Sequence, residues 1–195
     1  MKCVSLAVLC TLLAVGSAWA QAPVPASGAG GSSKSVFIDA SESTGDSKTT
    51  NNWRYSDGSY SKTKVATREL NITVRNMSAL PGQFTVEWFF VGKPSSGTRR
   101  FLYDKGQRNV TLAPSAFEKI SVESKELTSN SVRDYYYYGY SYKSGDKPDG
   151  WIIRAKVGDE VVRVKTSSPQ LDQLESNKAE FERFVGTMDS KKKSP

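Results

Sequence analysis

From Val36 almost to Ser167, apolar and polar residues alternate with a period of two, the mark of strands that bury one face. In Leu70-Asn71-Ile72-Thr73-Val74-Arg75 the even positions are apolar and the odd ones polar. Phe84-Thr85-Val86-Glu87-Trp88-Phe89-Phe90-Val91 repeats the scheme with larger residues, and the segment Asn76 to Gly82, punctuated by Pro81 and Gly82, joins the two as a loop. The same pattern predicts strands over Val36 to Asp39, Arg100 to Tyr103, Asn109 to Leu112, Phe117 to Glu123 and Arg133 to Lys143.

Two turns carry stronger signals. Asp57-Gly58 has the composition of a two-residue type I′ turn and would set Tyr55 opposite Tyr60. Gly158-Asp159 suits type II′ and would pair Val157 with Glu160, Ala155 with Val162, Ile153 with Val164 and Trp151 with Thr166. One face of that hairpin is then a core. The other carries Arg154 directly opposite Arg163, with Lys156 and Lys165 close by, a like-charge arrangement that needs compensation.

The periodicity changes at Ser168-Pro169, an N-cap serine followed by proline at the first helical position. Leu171, Leu174, Phe181, Val185 and Met188 follow a heptad-like seam interrupted by Lys178, which predicts one helix over residues 168–187. A basic tail, residues 188–195, follows it.

Both ends of the chain bear on where it acts. Lys2, the apolar run Val4 to Val15 and the Ala18-Trp19-Ala20 pattern predict a signal peptide over residues 1–20, cut before Gln21. Residues 21–35 are Ala, Pro, Gly and Ser in the main, a flexible linker. Residues 36–167 then form the β domain. The mature chain is expected to lack a transmembrane segment and to be periplasmic or secreted.

Cleavage would remove Cys3 and Cys10, the chain's 2 cysteines, and there is no histidine. That disfavours thiol and imidazole catalysis and the common transition-metal sites, and leaves stability to the core rather than to disulfides. Serine catalysis finds no Gly-x-Ser-x-Gly, and the Ser-x-x-Lys spacings, such as Ser59/Lys62 and Ser144/Lys147, do not start a helix. A glycosidase needs only two carboxylates, for which Glu87, Asp104, Asp146, Asp149 and Asp159 are the candidates. Asp146 to Gly150 lacks the alternating oxygen ligands of a calcium loop, and no cofactor is expected.

What remains is aromatic surface and charge. In Tyr135-Tyr136-Tyr137-Tyr138-Gly139-Tyr140-Ser141-Tyr142, read as a strand, Tyr136, Tyr138, Tyr140 and Tyr142 share one face. Such a row suits stacking on sugar rings, or else one wall of a core. Arg154, Lys156, Arg163 and Lys165 form a basic stripe for an anionic surface or glycan, unless neighbouring Glu118, Glu123 or Glu126 neutralise it. The 27 lysines and arginines outnumber 20 acidic residues, for a formal charge of +7, but the export signal disfavours nucleic acid as the partner. Asn71, Asn76 and Asn109 each begin an N-glycosylation triplet.

The Ala66 to Val74 strand leading through Asn76 to Phe84-Thr85-Val86-Glu87-Trp88, with the later Gly150-Trp151-Ile152-Ile153 hairpin, resembles the immunoglobulin-like β-sandwich domains of exported bacterial proteins. The resemblance covers residues 36–166, with Trp88 placed as a buried strand tryptophan. It implies two packed antiparallel sheets and a role in binding, spacing or assembly. The expected fold is thus a mainly β, antiparallel immunoglobulin-like β-sandwich with one C-terminal α-helix. The expected function is a non-enzymatic binding or structural module of the cell envelope or extracellular space, directed at a glycan or anionic surface. Two alternatives stay open: a carboxylate-dependent glycoside hydrolase or other carbohydrate-active enzyme, and an envelope assembly subunit that meets a protein partner through a strand edge or the C-terminal helix.

Overall fold

The structure is a computed structural model describing residues 35–54, 58–134 and 140–191. The predicted signal peptide, all of the linker but Ser35, and the last four residues of the tail lie outside that range. Among the described residues the strands are β1 (Val36–Arg54), β2 (Ser59–Asn76), β3 (Gly82–Pro94), β4 (Phe101–Leu112), β5 (Phe117–Glu123), β6 (Leu127–Asp134), β7 (Ser141–Val157) and β8 (Glu160–Thr166). Two helices follow, α1 (Pro169–Ser176) and α2 (Lys178–Lys191). None is long and apolar enough to cross a membrane.

The fold is an antiparallel β-sandwich. One sheet holds β1, β2, β5 and β6, and the other holds β4, β3, β7 and β8. The long β7 belongs to both. Its first residues, Ser141 to Gly145, pair with β6, and from Asp146 onward it pairs with β3 and then β8.

Facing residues of the two sheets build the interior. Ile38, Leu70, Ile72, Val74 and Ile120 meet Phe84, Val86, Phe90, Val110, Leu112, Trp151, Ile153 and Ala155. The second sheet is also covered on its outer face, where Phe89, Val91, Leu102 and Ile152 pack against Leu171 and Phe181 of the helices. Each such side chain contributes about 1.5–3 kcal/mol when fully buried. Burial on both faces explains why alternation gives way to Phe89-Phe90-Val91 and Trp151-Ile152-Ile153.

Several local expectations are corrected. The single helix is two, because Asn177 is extended (φ −92°, ψ 90°) and ends α1. Its Oδ1 accepts the Glu180 N–H at 3.3 Å and so caps α2 as it closes α1. Val36 to Asp39 is only the start of β1, and the segments Arg100 to Tyr103, bar Arg100 itself, and Asn109 to Leu112 fall in one strand, β4. Arg133 to Lys143 is not one strand either, since Arg133 and Ser141 are antiparallel partners on β6 and β7.

Trp88 is half-buried and lies across Gly106 of β4, where a Cβ would meet its ring at 2.4 Å. The buried tryptophan among the described strand residues is Trp151, which donates from Nε1 to Glu42 at 3.1 Å.

Candidate functional site

Beyond the interior, the first sheet continues as a polar arm made of Ser47–Arg54 of β1, Ser59–Val65 of β2, β6, the start of β7 from Ser141 to Gly145, and Tyr140 just before it. No hydrophobic side chain is buried among these residues. The arm exists because strands that are pinned in the core run out of it with Thr, Ser, Asn and Tyr, residues that pair well but have nothing to cover them.

The arm decides between the two readings of the tyrosine segment for the residues described. Tyr140 is 72% and Tyr142 62% exposed, so both lie on the surface. Tyr136 and Tyr138 lie outside the described residues. Cross-strand partners share a face, which groups Tyr142 with Val132, Ser61 and Asn52, while Tyr140 sits beside Asp134, accepting its N–H at 2.8 Å. Exposed tyrosine rings with few rotatable bonds are suited to stacking on a sugar.

The opposite face of the arm was not foreseen. There the register forms one row of Trp53, Tyr60, Arg133 and Ser141, a second of Asn51, Lys62, Ser131 and Lys143, and a third of Thr49, Lys64, Ser129 and Gly145. The Trp53 and Tyr60 rings are 6.0 Å apart, and the Tyr60 hydroxyl donates to Asn51 Oδ1 at 2.8 Å. Trp53 thus takes the place opposite Tyr60 that the two-residue turn assigned to Tyr55, a residue outside those described.

The basic stripe on the last hairpin does not form. Gly158 has the positive φ, 61°, of a type II′ turn, and Val157 faces Glu160 as expected. A bulge at Val162 then slips the register by one residue, setting Arg154 opposite Val164 and Arg163 opposite Ala155. Arg154 and Lys156 consequently face the helices, and Arg163 and Lys165 face the other way.

Their charges are largely met. Arg154 pairs with Glu175 at 2.8 Å and lies 3.6 Å over the Phe181 ring, Lys156 pairs with Glu87 at 2.7 Å, and Lys165 pairs with Asp39 at 3.4 Å. The suggested partners do other work: Glu118 binds Arg108 and Glu123 accepts from Thr67. A groove of about 640 Å³ lies beside α2, and Glu87, Arg154, Lys156 and Phe181 help to line it.

The candidate carboxylates fare similarly. Glu87 is held by Lys156, Asp104 by Lys125 at 3.1 Å, and Asp149 by both Lys93 and Arg100. Asp149 is 7% exposed, and burial alone would raise its pKa, but the hydrogen bonds and charges of Lys93 and Arg100 outweigh that and hold it below the ordinary value. A general acid needs the opposite displacement. Asp159 occupies the hairpin turn and Asp146 stands on β7 opposite Pro94.

Asn76 is fully buried and its amide is spent on backbone carbonyls, which removes it as a glycosylation acceptor in the folded chain. Asn71 and Asn109 are exposed. Leu171, Leu174, Phe181 and Val185 lie against the second sheet, so this seam is used within the molecule.

No protein-family model matches the chain, and no curated protein matches it. Among solved structures, it is similar to a β-D-glucoside glucohydrolase from Trichoderma reesei, with 13% identity and a TM-score of 0.34 over 68% of this chain and 18% of that one. A Bacteroides uniformis β-glucuronidase gives 13% identity and a TM-score of 0.29 over 60% and 13%. A Kluyveromyces marxianus β-glucosidase gives 13% and 0.29 over 67% and 14%. The chain thus spans less than a fifth of each of these enzymes, and no activity is carried over from them.

Proposed function

We propose that this chain is an exported, non-catalytic β-sandwich module that binds carbohydrate through the tyrosine face of its arm. The observation that carries the reading is the exposure of Tyr140 and Tyr142 on an arm in which no described hydrophobic side chain is buried. Two open rings two positions apart on one face make a contiguous aromatic surface of the kind that meets ligands. The ion-paired state of Glu87, Asp104 and Asp149 favours binding over hydrolysis. Tyr140 and Tyr142 offer ring faces, and Asn52 and Ser61 offer hydrogen bonds in the same row as Tyr142. The leader predicted at residues 1–20 would bring the module to glycans outside the cytoplasm.

The test is affinity electrophoresis of the chain from Gln21 onward against a panel of soluble neutral polysaccharides. Retardation by at least one, lost by tenfold or more in Tyr140→Ala/Tyr142→Ala, is the expected result. Equal mobility of the parent and the double variant in every gel would overturn the reading.

A further inference from the structure

The second face of the arm combines two aromatic rings with four cations. Lys62, Lys64, Arg133 and Lys143 are all exposed, share that face, and form no ion pair among the described residues. Several cations on the body of the sandwich are met by acids, as Arg68 is by Glu42, Arg108 by Glu118, Lys125 by Asp104 and Arg154 by Glu175. No aspartate or glutamate stands in the three rows of this face. Lys62 and Lys143 are two strands apart, about 10 Å by the strand spacing, and Lys64 is one step of about 7 Å along β2 from Lys62. Asn51, Thr49, Ser129, Ser131 and Ser141 fill the places between them with short hydrogen-bonding groups.

From this arrangement we infer that the face is a subsite for an acidic polysaccharide, one bearing uronate or sulfate groups. The inference rests on the carbohydrate reading and names the ligand class for a second surface of the same arm. A periodic anion on a chain of hydroxyl-rich rings matches each part of the grid. The cations take the anionic groups, the serines, threonine and asparagine take hydroxyls, and the Trp53/Tyr60 pair offers a ring face at the end. Like charges held this close on an exposed sheet repel one another, and a polyanion relieves that repulsion by replacing the small counterions around them.

The experiment measures binding of alginate, a polyuronate, to the full chain lacking its leader, by calorimetry between 20 and 300 mM salt. The variants are Lys62→Gln/Lys143→Gln, Lys62→Arg/Lys143→Arg and Tyr140→Ala/Tyr142→Ala. Alginate affinity is expected to fall as salt rises, to drop about tenfold or more in the glutamine variant with a shallower salt slope, and to survive in the arginine variant, which keeps the charge. The tyrosine variant separates the two readings, because it should lose neutral glycan while retaining alginate. Unchanged alginate affinity in the glutamine variant would overturn the inference and leave the tyrosine face untouched. So would tighter binding of single-stranded DNA than of alginate at equal salt.

Discussion

Asn76 ties the β2–β3 loop to the β4–β5 turn with one side chain, and replacing it tests whether buried hydrogen bonds or apolar packing secures that end of the sandwich. Its Nδ2 donates to the carbonyls of Leu80 at 2.8 Å, Leu112 at 3.2 Å and Ala113 at 3.2 Å, while its Oδ1 accepts the Ser78 N–H at 2.9 Å. In Asn76→Ala these groups lose their partner. At about 1 kcal/mol net for each, with one contact shared between two protons, the cost is about 3 kcal/mol. For a domain of this size that lowers Tm by roughly 6–12 °C. Asn76→Asp keeps the shape but points a second oxygen at three carbonyl oxygens, so the buried carboxyl takes a pKa above the unfolded value of about 3.9. A folded pKa raised in this way makes the penalty small near pH 3.5, where both states are mostly protonated, and growing as pH rises through 4. Thermal melts of parent, Ala and Asp chains from pH 3.5 to 7, followed by circular dichroism, should show the Asp variant weaker than the Ala variant at pH 7 and nearer the parent at pH 3.5. A pH-independent Asp variant as stable as the parent would refute the assignment of the amide to those carbonyls.

Asp149 lies at a bulge of β7 just beyond the point where the strand passes from one sheet to the other, with Gly92 opposite Pro148 and Val91 opposite Gly150. Because its pKa is depressed, its contribution is present above about pH 4 and lost as pH falls through the lower folded value. Asp149→Asn should therefore cost about 2 kcal/mol at pH 7, less than a fully buried pair because Lys93 and Arg100 are each about one-third exposed, and the gap to the parent should close on acidification. Glu175→Gln leaves the Arg154 guanidinium enclosed against Phe181 without its carboxylate, and urea titration should show a loss of about 2–3 kcal/mol, with faster proteolysis between residues 168 and 186.

The parts of the fold legible in the sequence are those where burial is one-sided and the strand regular. Alternation located β2 and the core of β3, and Phe117 to Glu123 is β5. It missed most of β1 because Ser41 to Asn52 carries no apolar rhythm and pairs along a hairpin without an interior to face. It misplaced Arg163 through a single bulge, since a slip of one residue exchanges the faces of a whole strand. The break between α1 and α2 is written in the sequence as Asn177 followed three positions later by Glu180, a capping signature that lies inside the apolar seam through Leu171 and Phe181.

Whether Tyr140 and Tyr142 lie in a core could not be read locally, because burial depends on what the opposite sheet covers. The second sheet stops short of them, and that is a property of the strand lengths of β3 and β4 rather than of any residue near the tyrosines. A sheet with two polar faces ordinarily has a weakly specified register. Here β2 runs unbroken from the arm to Leu70, Ile72 and Val74 in the interior, and β7 runs to Trp151 and Ile153, so the register of the arm is set by burial elsewhere. On the proposed function, stability and recognition are thereby assigned to different stretches of the same strands. The core half tolerates little change at its apolar positions. The arm half is free to hold Tyr140 and Tyr142 on one face and Lys62, Lys64, Arg133 and Lys143 on the other, with no packing demand on any of them.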